Sequence, residues 1–344
     1  MFVPFAGERG LGRIFRDSAC RRPSTKSTDG KSRRLAILPD AGYDKEAGSF
    51  LLSVYHEGLR CLNAKIFPFH RDTACGMIGM EICFMKIGAS TSNLYPMQTE
   101  DALGALLSLG FRTLEVFVNT ESETSPAFAN ELRRRAQAEG GEILSFHSYT
   151  AGTDPYLLFS AYRRRFEDGK EHYRRLFEAA ALCGARYLVI HGDKEGGVLP
   201  EEEVFARYEE LYDLGQKAGV TLLQENVVHF RSADPGFLRR MRAALGEKAR
   251  FVFDVKQCAR CKLEPEAVLD AMGDALRHVH ISDQSADRDC LIPGRGNNDY
   301  RSLRGRMASC GFDGVWILEL YRDNFRDLSD LEEGRRYLER LLNN

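Results

Sequence analysis

The chain has 344 residues, 43% of them hydrophobic and 28% charged, and a formal charge of −2. That is enough apolar material for one large core or two modest ones; it argues against a fibrous or disorder-dominated chain and gives no global attraction to nucleic acid. No apolar run reaches the roughly 18 residues of a membrane span, and nine irregularly spaced cysteines do not read as a secreted disulfide framework, so a soluble protein of the reducing cytoplasm is expected.

Residues 1–34 carry nine Lys or Arg against three acids, and "RRPSTKSTDGKSRR" offers little to bury, so this segment is expected to be disordered. From there to residue 84 no succession of caps and periodic faces is visible. Three readings compete for residues 1–84. No compact apolar run follows the first basic residues, which disfavours a secretory signal, and a transit peptide is only weakly suggested. The third reading starts translation at Met85, in "MEICFMKIGAS", with the upstream residues an over-long gene reading.

From Met85 onward short apolar strands alternate with helical segments. "KIGAS" (86–90) reads as a strand. Thr99 is then expected to cap a helix with Leu103, Leu106 and Leu107 on one face and Gly110 as its stop. "RTLEVFV" (112–118) is the second strand, and Ser125-Pro126 opens a helix closed at Gly140-Gly141. "EILSFHSY" is the third strand and "RYLVIHG" the fourth, with a long helical stretch between them. Pro200, Pro235 and Pro265 fall where a first helical turn begins, the place where a missing N–H costs nothing. Strands five to eight are "VTLLQENV", "RFVFDV", "RHVHISD" and "VWILELY". In the closing helix Ser329 and Glu332 have the spacing of a capping box, and Leu331, Leu338 and Leu341 share a face.

Eight strands alternating with eight helices in 260 residues predict a (β/α)8 TIM barrel over 85–344, preceded by a poorly structured extension. A doubly wound open sheet fits less well, because "GASTSNLYP" after the first strand contains no G-x-G-x-x-G. In a barrel the C-terminal strand ends form the mouth, so polar residues there are candidates for chemistry. Five successive later strands each offer one: His191, Glu225, Asp254, His280 and Glu319. One such residue alone is more often a solvated loop group, but five in a row are harder to dismiss. Three carboxylates and one imidazole, from strands five to eight, suit a divalent ion of the Mn, Mg or Co kind. Without a cation between them the three acids would repel one another. Thiolates are absent from the strand ends, which argues against a closed structural zinc site.

The motifs "FHSY", "VIHGD", "QENV", "FDVKQ", "HVHISD…PGRG" and "LELY" resemble, in order, the strand signatures of the xylose-isomerase-like barrel superfamily. That superfamily holds sugar and sugar-phosphate isomerases and epimerases, inosose-processing enzymes and apurinic endonucleases. The resemblance spans about residues 85–344. Carried over, the sugar-epimerase pattern implies a divalent metal (Mn, Mg or Co, with Zn possible) on Glu225, Asp254, His280 and Glu319. It also implies Glu225 and Glu319 as the acid/base pair on opposite faces of the sugar, and a homo-oligomer.

Two departures qualify the resemblance. The strand-six signature usually reads Asp-x-x-His, whereas Gln257 stands three residues after Asp254; glutamine can bond a hydroxyl but is a poor metal ligand. The region "DRDCLIPGRG" has no histidine where the endonucleases need further ligands, so a three-metal DNA-repair site is disfavoured.

Lys256, two positions beyond Asp254 on an extended chain, is expected to point into the pocket. There it would assist proton transfer, neutralise an acidic substrate group, or simply pair with Asp254. His147 and His191 are candidates for sugar hydroxyls, the former with a structural hydrogen bond as the rival reading. Arg295 is either an anion contact or solvated surface. Cys258 and Cys261 form a C-x-x-C without the partners of a zinc ribbon. "RRR" at 133–135 and 163–165 reads as solvated helix faces. The expected activity is a metal-dependent isomerase or epimerase acting on a small polyhydroxylated substrate through an enediolate. An inosose-type dehydratase is the alternative; a DNA-repair enzyme or a non-catalytic sugar-binding barrel is the more distant rival.

Overall fold

Runs of four to six residues with apolar side chains on both faces fold as β1 (Ile87–Ser90), β2 (Thr113–Phe117), β3 (Glu142–His147), β4 (Tyr187–Ile190), β5 (Thr221–Glu225), β6 (Phe251–Asp254) and β7 (Leu276–Ile281); β8 (Trp316–Leu318) is shorter. The computed structural model describes residues 86–343. The expected extension, residues 1–84, lies outside them.

All eight strands are parallel and hydrogen-bonded in chain order, and β8 closes on β1 with Ile87 opposite Trp316. The expected (β/α)8 barrel is therefore the fold. Its helices are Thr99–Ser108, Pro126–Ala138, Arg163–Cys183, Glu201–Lys217, Pro235–Leu245, Pro265–Met272, Tyr300–Ser309 and Leu328–Asn343, with two short ones at Asp154–Leu157 and Val255–Cys261. Among the described residues no helix is long and apolar enough to cross a membrane.

Alternation along each strand sorts the side chains between two compartments. Outward residues such as Leu188, Leu222, Phe251, Phe253 and Leu318 join the large apolar shell under the helices, together with Leu103, Leu106, Leu331 and Leu338. Inward residues of β4, β5 and β6 (Val189, Leu223, Val252) form a separate small cluster against Tyr187 inside the barrel. One further step of two along those strands gives His191, Glu225 and Asp254. The functional candidates are thus the topmost inward layer of a packed barrel.

Several local signals act as expected. Ser125 caps its helix by accepting from Phe128 N, with Pro126 in the first turn, and Gly110 takes the positive φ of 86° that ends the preceding helix. Pro235 and Pro265 open their helices, whereas Pro200 sits one residue earlier, at the cap position. Two caps differ from expectation. Thr99 is the first helical residue rather than the cap; its hydroxyl donates instead to Glu123 Oε2 at 3.0 Å. At the last helix Asp327 accepts from Ser329 N at 2.9 Å, so the start lies two residues before the expected Ser329. A carboxylate beside a hydroxyl is the stronger acceptor for an orphan helical N–H.

The segment after β3 is held by one buried acid. Asp154 accepts from Thr150 Oγ1 at 3.1 Å and from the Tyr173 hydroxyl at 2.8 Å, and burial pushes its pKa from 3.8 up to about 7. The unfolded chain sheds this proton near the ordinary value while the folded chain keeps it. Its stabilising contribution is therefore complete at low pH and declines as pH rises through the folded pKa. We predict that the stability difference between the native protein and Asp154→Asn, measured by urea unfolding, shrinks between about pH 4 and about pH 7 and is flat above. A difference constant across that window would mean that Asp154 is ionised throughout.

Candidate active site at the barrel mouth

Glu225 ends β5, Asp254 ends β6, His280 is the penultimate residue of β7, and Glu319 directly follows β8. His280 Nδ1 lies 3.4 Å from Glu225 Oε1, 3.8 Å from Asp254 Oδ2 and 3.2 Å from Glu319 Oε2. Each residue offers one ligand atom, and the four atoms all lie within 4.8 Å of one another. Glu225, Asp254 and His280 are buried, while Glu319 keeps a small exposure at the floor of a cavity of about 340 Å³. That cavity is also lined by Phe117, Tyr149, His147, His191, Lys256 and Gln257.

The backbone around these side chains is fixed by amides that replace the ladder where the strands stop. Asn226 accepts from Asp254 N at 2.8 Å and donates to Asp254 O at 3.0 Å, bracketing that residue from the end of β5. Asn93 does the same for Glu319: it donates to Leu318 O at 3.0 Å and accepts from Leu320 N at 2.6 Å. Buried peptide groups that have lost their strand partners need such substitutes. Gln224 Nε2 donates to His191 O at 2.7 Å and to Glu225 O at 2.9 Å, and Gly192, at φ 82°, leaves room for that amide.

The electrostatics are those of an anionic centre. Burial raises the pKa of Glu225, but the imidazoles of His147, His191 and His280 close around it outweigh that and hold the carboxyl well below its usual range. Burial raises Glu319 as well; the charges of Lys256 and His280 bring it down. Asp254 goes the other way: burial wins over Lys256, and its pKa rises. For His280 burial is overcome by Glu115 and Glu319, so the ring holds its proton well above its ordinary value.

Glu115 was not among the candidates read from the sequence. From the middle of β2 its Oε2 lies 3.1 Å from His280 Nε2 and 3.0 Å from His278 Nε2, and it accepts from Ser145 Oγ at 2.8 Å. An acceptor-only carboxylate at Nε2 puts the ring proton there and turns Nδ1 of His280 toward the three mouth carboxylates. The available signal was the acid in "RTLEVFV", a strand interior where a lone charge is costly.

The remaining expected residues are distributed as follows. His147 and His191 stand together, Nε2 to Nε2 at 3.2 Å, beside Glu225 Oε2 at 3.5 and 3.1 Å. Lys256 reaches the site as expected but by a different route. The chain turns into a helix at Val255, with Asp254 capping it, and Lys256 Nζ hydrogen-bonds both Asp254 Oδ2 and Glu319 Oε2. Gln257 lines the cavity, and its Oε1 accepts from Val228 N at 3.2 Å. Arg295 is not brought into the cavity; it ion-pairs with Asp330 and Glu333 of the last helix. The loop that carries it is organised by Asp283, which accepts from Gly294, Gly296 and Asn298 backbone N–H groups at 2.9 to 3.0 Å. Cys258 and Cys261 are free thiols, and the arginines of both "RRR" runs are exposed.

The donor set fits a divalent ion. Glu225 Oε2 and His280 Nδ1 are buried and lack a hydrogen-bond partner despite their near neighbours. Three oxygens and one nitrogen converging on a common point suit a hard or borderline cation. Two smaller groups of the same kind are His147, His191 and Glu225, and Glu115, His278 and His280.

Eight parallel strands with an acid and imidazole cluster at their C-terminal mouth define the class: a TIM barrel whose site is built from strand ends. The profile of the family described as xylose isomerase-like TIM barrel matches residues 103–341, and the chain belongs to that family. It is 26% identical over 279 residues to an uncharacterized protein of Mycobacterium leprae, covering 72% of this chain and 93% of that one. It is 23% identical over 249 residues to fructoselysine 3-epimerase of Escherichia coli O157:H7, covering 69% and 90%. Among solved structures it resembles 3-keto-D-glucoside 4-epimerase of E. coli with a TM-score of 0.60 at 17% identity, covering 74% of this chain and 99% of that one.

Removing the Glu115 carboxylate should loosen the centre from beneath. Glu115→Ala leaves two imidazoles and a hydroxyl without their acceptor, at a cost of about 3 kcal/mol. Thermal unfolding should then show Tm lower by roughly 6–12 °C, and an unchanged Tm would show that these groups find other partners.

Proposed function

We propose that the protein is a divalent-metal-dependent sugar epimerase or isomerase. The observation that carries this reading is the convergence of Glu225, Asp254, His280 and Glu319 on one point at the floor of a cavity suited to one small sugar. Relatives named as a 3-epimerase and a 4-epimerase of sugars support the class, and because they differ in the carbon they alter, they leave that carbon open.

A divalent ion held by these four residues would polarise a substrate carbonyl and its neighbouring hydroxyl, acidifying the C–H beside them. Glu225 and Glu319 come from non-adjacent strands and flank His280. Held ionised by their neighbours, they suit a pair of which one removes the proton and the other returns one to the opposite face. His147 and His191, on the Glu225 side, would orient hydroxyls, and Gln257 and Lys256 would contact the substrate's other end. Phe117 and Tyr149 give the cavity an apolar wall on which the C–H face of a sugar can rest.

Elemental analysis of protein purified without chelator should find about one Mn, Mg, Co or Zn ion per chain, lost in Asp254→Ala. Two ions would mean that one of the smaller groups, His147, His191 and Glu225 or Glu115, His278 and His280, is occupied as well. With ketoses in D2O the loaded enzyme should exchange the proton at one carbon. Glu319→Gln should lower turnover about 10²–10⁴-fold with substrate binding largely retained. Loss of a hydroxyl instead of exchange would identify a dehydratase. Failure to hold metal under any loading condition would remove the mechanism.

A further inference from the structure

Lys256 lies outside the set of four ligands, yet its ammonium reaches into that set. Its ammonium bonds Asp254 Oδ2 and Glu319 Oε2, two of the four residues that would hold the ion. The position is built in rather than incidental. Asp254 caps the helix Val255–Cys261 by accepting from Lys256 N at 2.8 Å, so the backbone of the lysine is tied to the acid its side chain neutralises. The side chain is only 5% exposed. Arg260, on the same short helix, is turned away onto Asp289 and Tyr321. Lys256 is thus the ammonium that answers three converging carboxylates.

We propose that Lys256 is an internal counter-cation that competes with the divalent ion for Asp254 and Glu319, so that loading requires its ammonium to move off at least one of them. This rests on the metal-dependent reading above. The physical reason is repulsion: the ammonium sits on the same oxygens that would face the ion, and two cations this close repel. With the lysine in place its ammonium offsets one of the three carboxylates, so an incoming divalent ion is attracted less strongly than it would be by the acids without it. Lys256 therefore lowers metal affinity, keeps the metal-free centre from flying apart, and once displaced has the adjoining cavity to enter, since it already lines it.

The test is equilibrium dialysis of the full chain against Mn²⁺, comparing the native protein with Lys256→Met. The variant should bind Mn²⁺ at least about tenfold more tightly. Thermal unfolding gives a second readout: metal-free Lys256→Met should melt below the native protein, and saturating Mn²⁺ should raise its Tm by more than it raises the native one. If Lys256→Met does not fold without a cation, Lys256→Gln, which keeps a hydrogen-bond donor, serves for the same measurements. A native protein that binds Mn²⁺ with an affinity equal to or higher than that of the charge-removed variant overturns the competition and leaves the metal reading standing. Absence of Mn²⁺ binding in both native and variant proteins overturns both.

Discussion

Three carboxylates brought together at the end of an apolar barrel are the constraint on which the rest of this structure turns. Glu225, Asp254 and Glu319 come from three strands, are largely removed from water, and cannot all be ionised without positive charge among them. His280 stands between them and takes the proton that burial alone would deny it. Lys256 bonds one oxygen of Asp254 and one of Glu319, the same two that face His280 Nδ1. The histidines of β3 and β4 lean on Glu225 from the other side. Each of these side chains is explicable as an answer to the same concentration of charge, and a divalent ion is the answer that would satisfy all of the acids at once.

The constraint reaches down the barrel axis as well as across its mouth. In most barrels the layer beneath the site is filled by branched apolar residues. Here β4, β5 and β6 follow that rule with Val189, Leu223 and Val252, while β2, β3 and β7 contribute Glu115, Ser145 and His278. β4, β5 and β6 thus contribute a dry cluster and β2, β3 and β7 a polar one. The polar cluster lies under His280, whose Nε2 it engages, and so it sets the direction of the ring that faces the carboxylates. A fully buried ion pair in that place contributes little to stability on net; its physical consequence is orientation.

The fold was legible because parallel strands buried on both faces read as continuous apolar runs, and because turn residues separate them at regular intervals. The strand-end residues were legible for a related reason: Glu225 interrupts "VTLLQENVV" only where the strand leaves the core. Glu115 escaped a search confined to strand ends, although an acid within an apolar strand is the more improbable residue of the two. Asn93 escaped because a short polar side chain in a loop has no pattern to betray it, and its role exists only through Leu318 and Leu320, more than 220 residues away. Lys256 was placed in the cavity by an argument from extended geometry. The chain there is helical, and the side chain arrives because the first turn of the helix sits over the mouth. Arg295 illustrates the opposite limit, since whether a loop arginine meets a ligand or the protein's own acids depends on Asp330 and Glu333 in a helix some 35 residues on.

The strand-six signature brings these strands of argument together. Where the resembled signature reads Asp-x-x-His, this chain has Asp254 followed three residues later by Gln257, with Lys256 at an unspecified position between them, and the structure gives both side chains a task. Gln257 turns its oxygen to Val228 N, so it fastens the end of the β5 segment much as Asn226 fastens β6. An imidazole in its place would offer a nitrogen to the site but would need the right tautomer to accept that backbone N–H. Lys256 supplies charge at the same rim from the neighbouring position. The β6 end thus carries a backbone bracket and a cation within one helical turn of Asp254. The consequence is a centre with fewer donors on its β6 side and more positive charge. On the proposed metal-dependent reading, such a centre would hold a divalent ion less firmly and would present a cationic edge to a substrate oxygen entering the cavity.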